Sequence, residues 1–183
     1  TSFGSTSETQ VTMRMYTRDL WARLEDETGL STGFDRLGFI EMAADEDRIE
    51  EYRRVAAFNR MLGNQVEEIG PDEIKKLFPL ARVDDIVAGF YLPQDGRVNP
   101  VDATRSLAKG ARQQGIRIVE GVVVTGVTTK NGRATGVATT EGKIEAEFVV
   151  NCAGMWGRKL GEMMGVSLPL HASEHMHIVT KHI

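Results

Sequence analysis

A chain of 183 residues, 41% hydrophobic and 26% charged, can bury a core and falls outside the disordered and fibrous classes. Its formal net charge of -4 arises from interspersed signs, so it carries no basic patch for nucleic acid or for an anionic membrane surface, and small-molecule chemistry is the better expectation. A single cysteine, Cys152, excludes an internal disulfide and a cysteine metal cluster and points to a reducing compartment, and no apolar run approaches the ~20 residues of a membrane span.

The first residue is threonine, with no signal-peptide pattern after it, which suggests an internal segment of a longer protein. Ser5 and Glu8 have the spacing of a capping box, and Met13, Tyr16, Leu20 and Leu24 recur at helical intervals until Gly29. Residues 37–43 read as a strand. Asp45 then caps a second helix with the apolar stripe Ile49, Tyr52, Val55, Ala56 and Leu62, ended by Gly63. Pro71 and Pro79 bracket a short helix, because proline suits a first turn and blocks continuation.

Residues 86–92 are strand-like, and Gln94-Asp95-Gly96 is turn chemistry. Asn99, Pro100 and Asp102 mark a helix start, with Leu107, Ala108 and Ala111 as its buried stripe and Gly115 as its end. Residues 116–144 are rich in β-branched side chains and broken at Asn131-Gly132 and Glu141-Gly142, a hairpin pattern. The continuous apolar run at 147–154 predicts a strand covered on both faces of a parallel sheet, followed by a helix at about 156–164. Residues 173–183 read as a last strand, with His175, His177 and Val179 on one face.

Several residue sets can carry chemistry, each beside a plainer reading. Small residues at 151–157, ending a strand, let a planar or phosphorylated ligand approach the backbone, although an ordinary strand-to-helix turn has the same composition. Cys152 has no basic neighbour to activate it and reads as a small buried residue rather than a nucleophile. His175 and His177 can line a pocket and exchange protons near neutral pH; a metal site or a structural pair are the alternatives, and no third ligand stands at a useful spacing. Tyr91 and Arg97 flank the Asp95-Gly96 turn within reach of a ligand, or are simply exposed.

Read in order, Leu24-Glu-Asp-Glu-Thr-Gly29, Gly38-Phe-Ile-Glu41, Leu77-Phe-Pro79, Gly89-Phe-Tyr-Leu-Pro-Gln-Asp-Gly96, Asn99-Pro100, Gly110-Ala-Arg112, Val149-Val-Asn-Cys-Ala-Gly-Met-Trp156 and His175-Met-His-Ile-Val-Thr180 resemble the amine-oxidising flavoproteins of the D-amino acid oxidase and sarcosine oxidase type. The likeness is greatest to the sarcosine and dimethylglycine dehydrogenase group. It implies FAD as cofactor, a small amine or amino-acid substrate, hydride transfer to the flavin, and in some members a folate-binding C-terminal part.

The resemblance also implies a mixed α/β fold, with part of an FAD-binding parallel sheet and an antiparallel substrate-side sheet under covering helices. Residues 1–99 would be mainly substrate-side, 100–166 part of the FAD-binding region with a hairpin insertion, and 167–183 a return strand. By the same likeness Val124, Cys152, Ala153, Gly154 and Trp156 meet the cofactor, Tyr91 meets substrate, and His175 and His177 face the reacting centre. The group usually shows tyrosine where His177 stands, which leaves the exact amine open. The chain has no Gly-x-Gly-x-x-Gly; the family's pyrophosphate-binding turn would precede Thr1, and a segment lacking it should hold FAD weakly and be inactive alone. A cytoplasmic location is expected, or the mitochondrial matrix in a eukaryote. Two other readings stand beside this one: an autonomous α/β module that binds a ligand or partner without redox chemistry, and a related flavoenzyme of different substrate, such as a glycerol 3-phosphate dehydrogenase.

Overall fold

A computed structural model describes residues 1–176 and Ile178 and divides the chain into two compact units, 1–118 and 119–183. The first unit opens with an ordered arm and α1 (Glu8–Thr28). The expected capping box does not form: the Ser5 hydroxyl donates to Gln10 Oε1 at 2.8 Å and accepts from the Ser7 N–H, and Ser7 is the extended residue before the helix. At the other end Gly29 takes the left-handed conformation, φ 68°, and its N–H donates to Glu25 O at 2.7 Å. The buried stripe of α1 is Val11, Arg18, Leu24 and Thr28, whereas Met13 and Tyr16 are exposed. The offset has a physical cause, since Arg18 is drawn inward toward the buried carboxylate of Asp95.

Three short strands, β1 (Phe39–Ala43), β2 (Glu67–Ile69) and β3 (Ala88–Leu92), form an antiparallel sheet in the order β1-β3-β2. Alternation along them puts Phe39, Ala43, Ala88, Phe90 and Leu92 on one face. That face packs on α2 (Glu46–Met61) through Ile49, Tyr52, Val55 and Ala56. Asp45 caps α2 as expected, accepting from the Arg48 N–H at 2.7 Å. Phe3 of the arm completes the core: it is 1% exposed, stacks on Phe90 at 6.0 Å and meets Tyr52 edge-on at 5.6 Å. β2 went unforeseen, because a three-residue strand containing Glu67 and Glu68 has no readable alternation.

Opposite α2, the sheet is crossed by α3 (Pro71–Leu77), whose Ile74 sits over Gly89; a Cβ there would meet Ile74 Cδ1 at 2.8 Å. Helix α4 (Pro100–Gln113) is capped by Asn99, which accepts from the N–H groups of Val101 and Asp102. It buries Ala103 and Ser106 rather than the expected Leu107 stripe, because Ser106 Oγ lies 2.8 Å from Thr28 Oγ1 of α1 and donates to Leu30 O.

The second unit is a meander of β4 (Val124–Lys130), β5 (Arg133–Thr139) and β6 (Gly142–Glu145). The Asn-Gly turn is as the sequence dictated: Asn131 and Gly132 have φ of 51° and 75°, both positive as a tight hairpin requires. Both sheets are antiparallel, so the class is mixed α/β as expected, while the parallel-sheet component has no counterpart among the described residues. The expected strand at 147–154 is a correction of the same kind. The stretch has no regular structure, and Phe148 and Val150 are 73% and 80% exposed, because no described strand pairs with it. A single 3₁₀ turn (Gly154–Trp156) and a short α5 (Gly157–Glu162) follow in place of the longer helix. Of the expected last strand, the described residues 173–176 have no regular structure, and His177, Val179 and Thr180 lie outside the described residues.

Candidate functional site

The sequence-predicted site residues fall in both units. In the second, Asn151 organises the 151–157 turn: its Oδ1 accepts from the Ala153 N–H at 3.1 Å, and its Nδ2 donates to Gly157 O at 2.9 Å. Two bonds from one side chain close the loop on itself. Sequence reading passed over Asn151, although an asparagine two residues before a glycine-bearing turn is the signal for such a clamp. Gly154 has φ 55°, a conformation that favours glycine, and an added Cβ would meet nothing within 4 Å, so its outer side is open. Gly157 and Gly161 are closed in by contrast, a Cβ on Gly161 reaching Val166 O at 2.9 Å.

Cys152 is exposed, which corrects the expectation of a buried residue. Ala153 is half-buried, and Met155 and Trp156 are 62% and 63% exposed. Val124 begins β4 opposite Thr139 and is half-buried. His175 is exposed, and His177 lies outside the described residues. No group of three His, Cys, Asp or Glu side chains able to hold a metal occurs among the described residues.

In the first unit, Tyr91 stands on the sheet face opposite α2, paired across the strands with Ile40 and Glu67. Its ring fills the space beside Gly38, where a Cβ would come within 2.4 Å of Tyr91 Cε2; Gly38 also has φ 82°, so two constraints demand glycine there. The ring borders a cleft of about 470 Å3 whose other walls include Leu37, Ile40, Met42, Ile74 and Phe78. No charged side chain lines it. Such a cleft accepts an apolar group and offers one phenol for orientation.

Arg97 is pinned to Asp35, by a backbone bridge and by an Nη2–Oδ2 contact of 3.3 Å. Asp95 has more than a turn's role, because it is 2% exposed and accepts from the Ser2 N–H at 2.6 Å and the Ser2 hydroxyl at 2.8 Å. Gly96 is compelled by close approach, since a Cβ there would lie 2.1 Å from Asp35 O. On the α2 face, burial and then the bond from its hydroxyl to Glu41 push the Tyr52 phenol above its ordinary value.

Residues 2–183 match the family described as FAD dependent oxidoreductase, DAO. The chain belongs to that family. Among curated relatives it is 36% identical to the mitochondrial sarcosine dehydrogenase of Mus musculus, over 97% of this chain and 20% of that protein. It is 37% identical to the mitochondrial pyruvate dehydrogenase phosphatase regulatory subunit of Mus musculus, over 96% of this chain and 20% of that one. The mitochondrial dimethylglycine dehydrogenase of Rattus norvegicus is 35% identical over 90% of this chain and 19% of its own length. The chain therefore spans about a fifth of these relatives. In structure it is similar to L-proline dehydrogenase from P. horikoshii, with a TM-score of 0.79, 26% identity, and coverage of 90% of this chain and 44% of that one.

FAD is the cofactor of this family. The 151–157 turn fits a broad planar group, because its small residues leave the backbone at Gly154 open while Met155 and Trp156 stand exposed around it. The sequence offers no glycine-rich turn for a pyrophosphate.

Proposed function

We propose that the whole protein to which these residues belong oxidises a secondary or tertiary amino acid of the N-methylglycine or N,N-dimethylglycine kind. FAD, when bound, supplies the acceptor for the hydride leaving the carbon next to nitrogen. The chain's own part is positional. Val124, Cys152, Ala153, Gly154 and Trp156 meet the cofactor, Tyr91 meets the substrate, and His175 with His177 keeps the amine unprotonated for reaction. In this reading 1–99 is the substrate side, 100–166 belongs to the cofactor side and 167–183 returns to the substrate.

The observation that carries the reading is the family match over 2–183 together with relatives named for sarcosine and dimethylglycine. Folate as acceptor of the one-carbon unit, and a cytoplasmic or matrix location, belong to the same proposal; among the described residues no helix is long and apolar enough to cross a membrane. The test is anaerobic titration of the full-length protein with N-methylglycine and N,N-dimethylglycine while following the flavin absorbance. Bleaching by either is expected, and a flavin that no N-methyl amino acid reduces refutes the reading. The 183-residue segment alone is expected to turn over neither.

A second reading has a specific observation behind it. The likeness to the phosphatase regulatory subunit is as high as that to sarcosine dehydrogenase, 37% against 36%, so a partner-binding module without redox activity fits the same sequence. A full-length protein that copurifies without flavin, or with flavin inert to amines, supports it instead.

A further inference from the structure

The cleft bordered by Tyr91 draws all of its walls from residues 37–91 of the first unit. Strand alternation sends Ile40, Met42 and Tyr91 to the sheet face opposite α2. Ile74 of α3 approaches that face over Gly89, where a Cβ would stand 2.8 Å from Ile74 Cδ1 and 3.2 Å from Ile40 Cγ2. A glycine at this point of the sheet therefore lets the helix lie close, and Leu37 and Phe78 extend the same apolar lining.

Size and chemistry together select what can fill the cleft. A methyl group is about as large as a water molecule, whose share of liquid volume is roughly 30 Å3, so the substituents of N-methylglycine leave a cleft of about 470 Å3 almost empty. Ordered water is a poor filling, because each molecule needs about two to four polar partners and the Tyr91 hydroxyl is the only side-chain oxygen or nitrogen on the walls. That hydroxyl makes no hydrogen bond to a described residue. The register also sets Glu67 opposite Tyr91 on the same face, so a carboxylate brought to the phenol meets a like charge. Uncharged apolar bulk is what these walls accept.

We propose that the cleft takes the apolar side chain of an N-methyl amino acid, a benzyl or branched alkyl group where N-methylglycine has only hydrogen, with the substrate's carboxylate held elsewhere. The inference rests on the reading that Tyr91 meets the substrate, and it names the substrate class within that reading.

The probes are N-methylphenylalanine and N-methylglycine, added to the full-length protein labelled with 13C-methyl methionine; the Met42 resonance is the one missing from Met42→Leu. Under anaerobic conditions the flavin is reduced once at most and excess ligand stays intact. N-Methylphenylalanine is expected to shift the Met42 resonance saturably and to bind at least about tenfold more tightly than N-methylglycine, the least that burial of a benzyl group supplies. Leu37→Asp, at a position 61% exposed and so compatible with folding, sets a charge on the wall and should weaken N-methylphenylalanine about tenfold. No saturable shift at Met42, equal binding of the two amino acids, or an unchanged affinity in Leu37→Asp each overturns the proposal. Flavin absorbance in the same samples separates this from the oxidation itself. A Met42 shift without bleaching upholds the pocket and refutes amine oxidation, whereas bleaching without a Met42 shift upholds amine oxidation and refutes the pocket.

Discussion

Replacing Phe3 by alanine tests whether the arm before α1 is part of the core or merely lies on it. The side chain is 1% exposed, wedged between Phe90 and Tyr52, and belongs to the main cluster with Val55, Ala56, Val66 and Leu92. Truncating a buried phenylalanine costs about 3–5 kcal/mol, the lost transfer free energy plus the cavity left behind. A domain of this size has about 5–15 kcal/mol in total, so about a fifth or more of the stability is at stake. With a urea slope of about 1–3 kcal/mol/M, the midpoint should fall by roughly 2 M at unchanged slope, read by far-UV circular dichroism. Phe148→Ala is the control, because that side chain is 73% exposed and its loss should move the midpoint by no more than about 0.5 kcal/mol implies. Equal small effects for the two substitutions would refute the docking of the arm, and with it the three-ring core.

Asn99→Ala removes the side-chain cap of α4 and should cost about 1 kcal/mol in chemical denaturation, with Asn99→Asp close to neutral. Asn151→Ala removes both side-chain bonds across the 151–157 turn; amide hydrogen exchange at Ala153 should quicken by about fivefold, the loss of one hydrogen bond of roughly 1 kcal/mol, while α2 exchanges as before. The hydrogen bonds from Arg53 hold the Glu68 carboxyl below its usual range. A depressed folded value means that the pair stabilises the fold above the unfolded value of about 4.3 and that this stabilisation is lost as pH falls through the folded value. Glu68→Gln should therefore lower the urea midpoint slightly at pH 7 and leave it unchanged at pH 2.5, and the small difference at pH 7 should shrink in 1 M salt because the pair is largely solvent-exposed.

The elements that could be read in advance are those whose signals are local. Asp45 and Asn99 cap helices because a short side-chain acceptor needs only the next three N–H groups, and Asn131-Gly132 turns because both residues tolerate positive φ. What escaped notice depends on distant partners. Arg18 carries no local signal of burial and is buried where Asp95 and Asn64 meet it. Met13 and Tyr16 have the right period for a core stripe, but the contacts that fix the rotation of α1 are Arg18 toward Asp95 and Thr28 on Ser106, which no pattern within either helix announces. In the same way Asp95-Gly96 reads as turn chemistry, yet the aspartate anchors the arm and the glycine is set by the carbonyl of Asp35.

The site follows the opposite logic. Of the stretches that identify the family most plainly by eye, 149–156 lacks a strand and half of 175–180 lies outside the described residues, and Val150 is 80% exposed where a covered strand was expected. A continuous apolar run fixes only that both faces want cover, and it acquires strand geometry when neighbouring strands supply the hydrogen bonds. Within the described residues none does so, and the small residues after it keep their turn through Asn151 and the bond from the Trp156 N–H to Ala153 O. Family membership therefore rests on the match across 2–183 and not on the burial of this stretch. The exposed Phe148, Val150, Met155 and Trp156 then form a testable surface, because covering four large apolar side chains so open to water is favourable when the cover is apolar too. Adding FAD to the full-length protein should shield Met155 and Trp156 from oxidative footprinting and leave Met13, equally exposed on α1, reactive as before. Equal protection of all three, or of none, would detach the 151–157 turn from the cofactor.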